Sequence, residues 1–109
     1  MNMYLNTCTY RFELDRKVPL AEAEMSLRLA LLVVEGLVGQ ARVRLETACE
    51  VDADRHCIVV DGNTPAGVAT ARVLAGLLIR EFGENAFQVR RCRSATSVAG
   101  AAGNEKEVA

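Results

Sequence analysis

Cys49, His56 and Cys57 are the residues best equipped for chemistry, because thiols and imidazoles ligate soft metals, act as nucleophiles and change redox state. They flank one polar stretch, Val51-Asp52-Ala53-Asp54-Arg55. A hairpin with a three-residue loop at Asp52-Ala53-Asp54 sets Cys49 opposite Cys57, with His56 or Asp54 beside the two sulfurs. That is the start of a metal site, a redox pair or a cysteine-dependent active site. The spacing is not that of a zinc knuckle, however, and the adjacent His56 and Cys57 point to opposite faces of any strand. Cys8 and Cys92 complete the four cysteines, and none forms a Cys-x-x-Cys pair. Reduced, packed thiols are the preferred reading, with no catalytic residue, metal or cofactor assigned.

Arginine is the second group. Eleven of the thirteen basic residues are Arg, balanced by fourteen acidic residues to a net charge of −1. That balance does not mark a strongly basic nucleic-acid binder. Arg11, Arg42, Arg44 and Arg90 nevertheless fall at alternating positions of strand-like segments. They are expected to share a helix-free sheet face, where phosphates of a ligand or nucleic acid would be held. Thr7 and Thr9 stand where an RNA-stacking sheet carries aromatics, and Glu13 and Glu46 dilute the charge. Asp61-Gly62-Asn63-Thr64-Pro65-Ala66-Gly67 is a strand-to-helix corner without a P-loop or dinucleotide glycine pattern, and it reads as helix capping.

The elements that position these residues follow from periodicity. Tyr4 to Asp15 alternates, with Cys8, Tyr10, Phe12 and Leu14 on one face, and predicts a half-buried strand. Pro19 opens a helix whose apolar face recurs at Leu20, Ala23, Leu27, Ala30, Leu31, Val34 and Val38, ending near Gly39. Ala41 to Glu50 alternates again and predicts a strand, paired through the polar turn with His56–Asp61. Thr64 and Pro65 start a second helix that stops at Gly83, and Ala86–Arg93 is the last strand. The expected fold is α+β: a ferredoxin-like βαββαβ chain forming a four-stranded antiparallel sheet in the order 4-1-3-2, with two helices on one face. Residues 1–93 form one domain, and 94–109, rich in Ser, Ala, Gly and Glu, are expected to be a flexible tail.

Hydrophobic residues make up 50% of the 109, so global disorder is excluded. No apolar run approaches the roughly 18 residues of a membrane span, and the first residues lack the pattern of an export signal. A cytoplasmic protein without a membrane partner is expected. Both helices carry more apolar surface than one sheet can cover. Met25, Leu29, Leu32 and Val33 lie off the main stripe of the first helix, and Val73, Leu74 and Leu77 off that of the second. Such surplus predicts burial against another molecule. The expected function is a non-catalytic module that forms a homodimer or docks on a protein partner. The alternative is a regulatory ligand- or nucleic-acid-binding domain using the arginine-bearing sheet face.

Overall fold

The computed structural model describes residues 4–97. Strands β1 (Tyr4–Leu14), β2 (Cys49–Asp52), β3 (Cys57–Asp61) and β4 (Phe87–Ser97) are joined by helices α1 (Leu20–Val38), α2 (Gln40–Glu46) and α3 (Pro65–Phe82). A single 3-10 turn at Glu84–Ala86 leads into β4. All strand pairs are antiparallel, and the sheet runs β2-β3-β1-β4, or 4-1-3-2 from the β4 edge.

The period-two pattern of β1 turns Tyr10, Phe12 and Leu14 to the helices and Thr9, Arg11 and Glu13 to the open face. Their cross-strand partners Ile58 and Val60 on β3 join the same core. α1 and α3 pack side by side on this face, contributing Leu27 and Ala30 from one and Leu74 and Leu78 from the other. Phe12, Ile58, Leu74 and Leu78 are almost wholly removed from water, each stabilising the fold by about 1.5–3 kcal/mol. Phe87 of β4 closes this end of the core against Phe12, with ring centroids 6.1 Å apart.

The α+β class and the four-stranded antiparallel sheet are present, but the simple βαββαβ chain with two helices is not. Residues expected to begin the second strand form α2 instead. Gly39, at φ +100°, breaks the helical path for one residue, and the chain then resumes a helix rich in good formers. α2 is held by Val43, which packs with Val34 and Ala66, and by an Arg42–Glu46 pair at 3.3 Å. The alternation of Val43 and Leu45 with Arg42, Arg44 and Glu46 is thus misleading, since Leu45 is 84% exposed.

The corner after β3 is a cap, as its residues suggest. Thr64 Oγ1 accepts from the Gly67 N–H at 3.0 Å and donates to the Glu46 carbonyl at 2.6 Å, tying the start of α3 to the end of α2. Asn63 Oδ1 accepts from the Cys8 N–H at 2.9 Å, while the Gly62 N–H donates to the Cys8 carbonyl at 2.8 Å. β4 continues through Ser97, past the expected strand end at Arg93, and so takes in residues 94–97 of the expected tail; residues 98–109 lie outside the described residues.

Candidate functional site

The outer face of α1 is the most conspicuous surface of the fold. Met25, Leu29 and Leu32 are 64%, 49% and 60% exposed, and Val33 is exposed beside them. With Gly36 they follow i, i+4, i+7 and i+11, one line along a helix, opposite the buried Ala23, Leu27, Ala30 and Val34. α1 is therefore apolar on two faces, one of which the described residues cover and the other of which they leave exposed. Glu22, Ser26, Arg28 and Glu81 line an open depression beside this stripe. Among the described residues, no side chain approaches the place where a Cβ would sit on Gly36, so a notch interrupts the ridge.

The α3 residues expected in the same interface behave otherwise. Leu74 is fully buried, and Val73 and Leu77 are half-buried against the core. The cause is the double packing of α3: it faces both the sheet and α1. Its buried face runs through Ala66, Gly67, Thr70, Ala71, Leu74 and Leu78, so Leu74 lies within that face rather than beside it.

The hairpin register separates the sulfurs. Asp52 pairs with Cys57 and Cys49 with Val60, so Cys49 faces the helices and Cys57 the open side. Burial, and then the Asp61 carboxylate, push the Cys49 thiol up to about 11. Cys57 is also raised, by burial first and then by the nearby Asp52. Both thiols are thus held protonated, the opposite of an activated nucleophile. His56 occupies the left-handed region at φ +56°, and its Nε2 lies 2.8 Å from the Val18 carbonyl. An Nε2–H donating there staples the hairpin to the connection between β1 and α1. Among the described residues, no group of three His, Cys, Asp or Glu side chains gathers as metal ligands.

The four arginines do not assemble on one face. Arg11 and Arg90 are register partners on the open side of the sheet, and both approach Glu13, at 3.9 and 3.2 Å. Arg42 and Arg44 lie on α2, a consequence of the helix that replaces the expected strand. A different group surrounds the β4 edge. Arg91 and Arg93 pair with Tyr10 and Cys8, and so lie on the helix side of the sheet, toward α3, which carries the exposed Arg72. Near them, between β1, Val89 of β4 and α3, is a cleft of about 210 Å³ lined by Tyr10, Phe12, Val89, Val68, Ala71, Arg72 and Ala75. Local patterning does not reveal this group, because it joins residues of β1, α3 and β4 that meet only when α3 is packed on the sheet.

No helix of the described residues is long and apolar enough to cross a membrane. Comparison of the chain with protein-family models, with curated proteins and with solved structures finds no match.

Proposed function

We propose that this protein is a non-catalytic module that pairs with a second copy of itself through the outer face of α1. The observation that carries the reading is the exposed line of Met25, Leu29 and Leu32 running to the Gly36 notch. An antiparallel two-fold pairing of α1 with its copy sets Met25 of each chain against Gly36 of the other, and Leu29 against Leu32. Small-residue notches of this kind admit a facing side chain and let helices approach closely. Each leucine counts twice in a two-fold interface. Burying the half or more of each that is exposed contributes about 1–2 kcal/mol per copy. The four unpaired cysteines suit a reducing compartment such as the cytoplasm. The arginine-face alternative is weaker, because only Arg11 and Arg90 occupy that face and Glu13 engages both.

Sedimentation velocity over a range of concentrations tests the proposal. The native chain should sediment as a dimer. Leu29→Glu combined with Leu32→Glu should sediment as a monomer with an unchanged far-UV circular dichroism spectrum. A native chain that stays monomeric at about 100 μM, or a double variant that stays dimeric, overturns it.

A further inference from the structure

β4 is an edge strand of eleven residues, paired along its whole length with β1 and, among the described residues, with nothing on its other side. Half of its backbone N–H and C=O groups therefore point outward, a template for another strand. Three arginines, Arg90, Arg91 and Arg93, fall within four residues of this edge. Edge charges often serve only to block sheet-to-sheet association. Here a second feature accompanies them. α3 covers β1 but leaves β4 partly open, so Val89 is 42% exposed and forms one wall of the apolar cleft with Tyr10, Phe12, Ala71 and Ala75. The small side chains of Ala71 and Ala75 leave the space. Among the described residues, no carboxylate lines the cleft. Arg72, Arg91 and Arg93 form no ion pair among the described residues, whereas Arg90 is held by Glu13.

We propose that the outer edge of β4 accepts an extended acidic segment of another protein as a fifth strand, with an apolar side chain in the cleft beside Val89 and carboxylates on Arg72, Arg91 and Arg93. Same-face side chains of an added strand recur about every 6.8 Å, as do Val89, Arg91 and Arg93 on β4. An apolar residue followed at the second and fourth positions by acids therefore matches the edge. A second copy of this chain does not match it: antiparallel β4–β4 pairing centred on Arg91 sets that arginine against itself, and like charges directly opposite are destabilising.

The probe is a fluorescent peptide with a central valine, glutamates two and four positions away on both sides, and threonines between. Anisotropy with the full chain at low salt should show saturable binding that weakens as salt rises. Arg72→Ala and Arg91→Ala should each weaken it about fivefold, and Arg91→Glu more. N-methylation of the peptide amides in the outward-bonding register should abolish binding, as should lysine in place of every glutamate. All three arginines are exposed, so circular dichroism of the variants should match the native chain. The Leu29→Glu, Leu32→Glu double variant should bind the probe unchanged, which separates this site from the α1 face. Absence of binding overturns the proposal. So does binding that survives Arg91→Glu or N-methylation, and so does an oligonucleotide that binds the same arginines and displaces the peptide.

Discussion

Replacing Gly67 by alanine should destabilise the fold, although alanine is the better helix former. Gly67 is the third residue of α3, buried, with its N–H on the Thr64 hydroxyl. A Cβ at this position falls well inside van der Waals contact of the Asp61 carbonyl oxygen and 3.2 Å from Thr64 Oγ1. The obstacle is backbone at the last residue of β3, so no side-chain rotation relieves it. Overpacking of this kind costs about 1–3 kcal/mol. If α3 shifts to escape, the cap from Thr64 is strained as well, at about 1 kcal/mol. Against these stands a gain of about 0.5–1 kcal/mol from removing a helical glycine. With the cap strained as well, the balance is a loss of roughly 1–3 kcal/mol, or a fall in Tm of about 5–20 °C for a domain this small.

Gly76 supplies the matched control. It lies in the same helix, is exposed, and has nothing within 4 Å of the place a Cβ would take. Gly76→Ala should therefore stabilise by about 0.5–1 kcal/mol. Urea unfolding followed by circular dichroism, at one fixed low protein concentration, reads both variants as shifts in midpoint at unchanged slope. Equal effects of the two substitutions, or a Gly67→Ala protein as stable as the native chain, would refute the reasoning that α3 is seated by contact with the Asp61 carbonyl.

Gly36→Ala should raise the stability of the monomer by about as much as Gly76→Ala, yet weaken dimerisation by filling the notch opposite Met25; sedimentation and urea unfolding together read the two opposed effects. Alkylation of Cys49 by iodoacetamide should keep accelerating as pH rises from 9 toward 11, because the folded thiol ionises late, and a plateau near pH 9 would contradict its burial beside Asp61. The linked sign for folding is a loss: the unfolded thiol ionises from about pH 9, so stability falls as pH climbs through that window to about 11.

The parts of the fold legible in the sequence are those where one local signal meets no rival. The alternation of β1, the Thr64–Pro65 helix start and the long apolar stripe of α1 all read directly. Residues 40–46 do not, because a short run with Val43 and Leu45 two apart satisfies a strand pattern while its Ala, Arg, Leu and Glu favour a helix. One glycine, Gly39, decides the matter by restarting the helix in a new direction. That short helix takes Arg42 and Arg44 off the sheet. The hairpin differs by one residue of turn: the chain reverses over residues 53–56, with His56 at positive φ, so Asp52 rather than Cys49 meets Cys57. Leu74 escapes the sequence pattern for a different reason. Periodicity weighs large apolar residues, whereas the buried face of α3 joins Leu74 and Leu78 to Ala66, Gly67, Thr70 and Ala71, whose small side chains carry little signal of their own.

The two surfaces proposed as contacts differ in what a two-fold axis does to them. A two-fold contact sets each residue near its own copy or a close neighbour of it. An apolar ridge with a notch is complementary to itself under that operation, and the α1 line of Met25, Leu29, Leu32 and Gly36 has no charged residue within it. A run of like charges opposes itself, and β4 has Arg90, Arg91 and Arg93 along an otherwise pairable edge. Symmetry thus favours self-association at α1 and penalises it at β4, without any further device. On the strand-addition proposal, the same arginines that discourage a second copy attract a segment of opposite charge and leave the edge to a different partner. The apolar cleft beside Val89 then supplies what charge alone lacks, a register for the incoming strand.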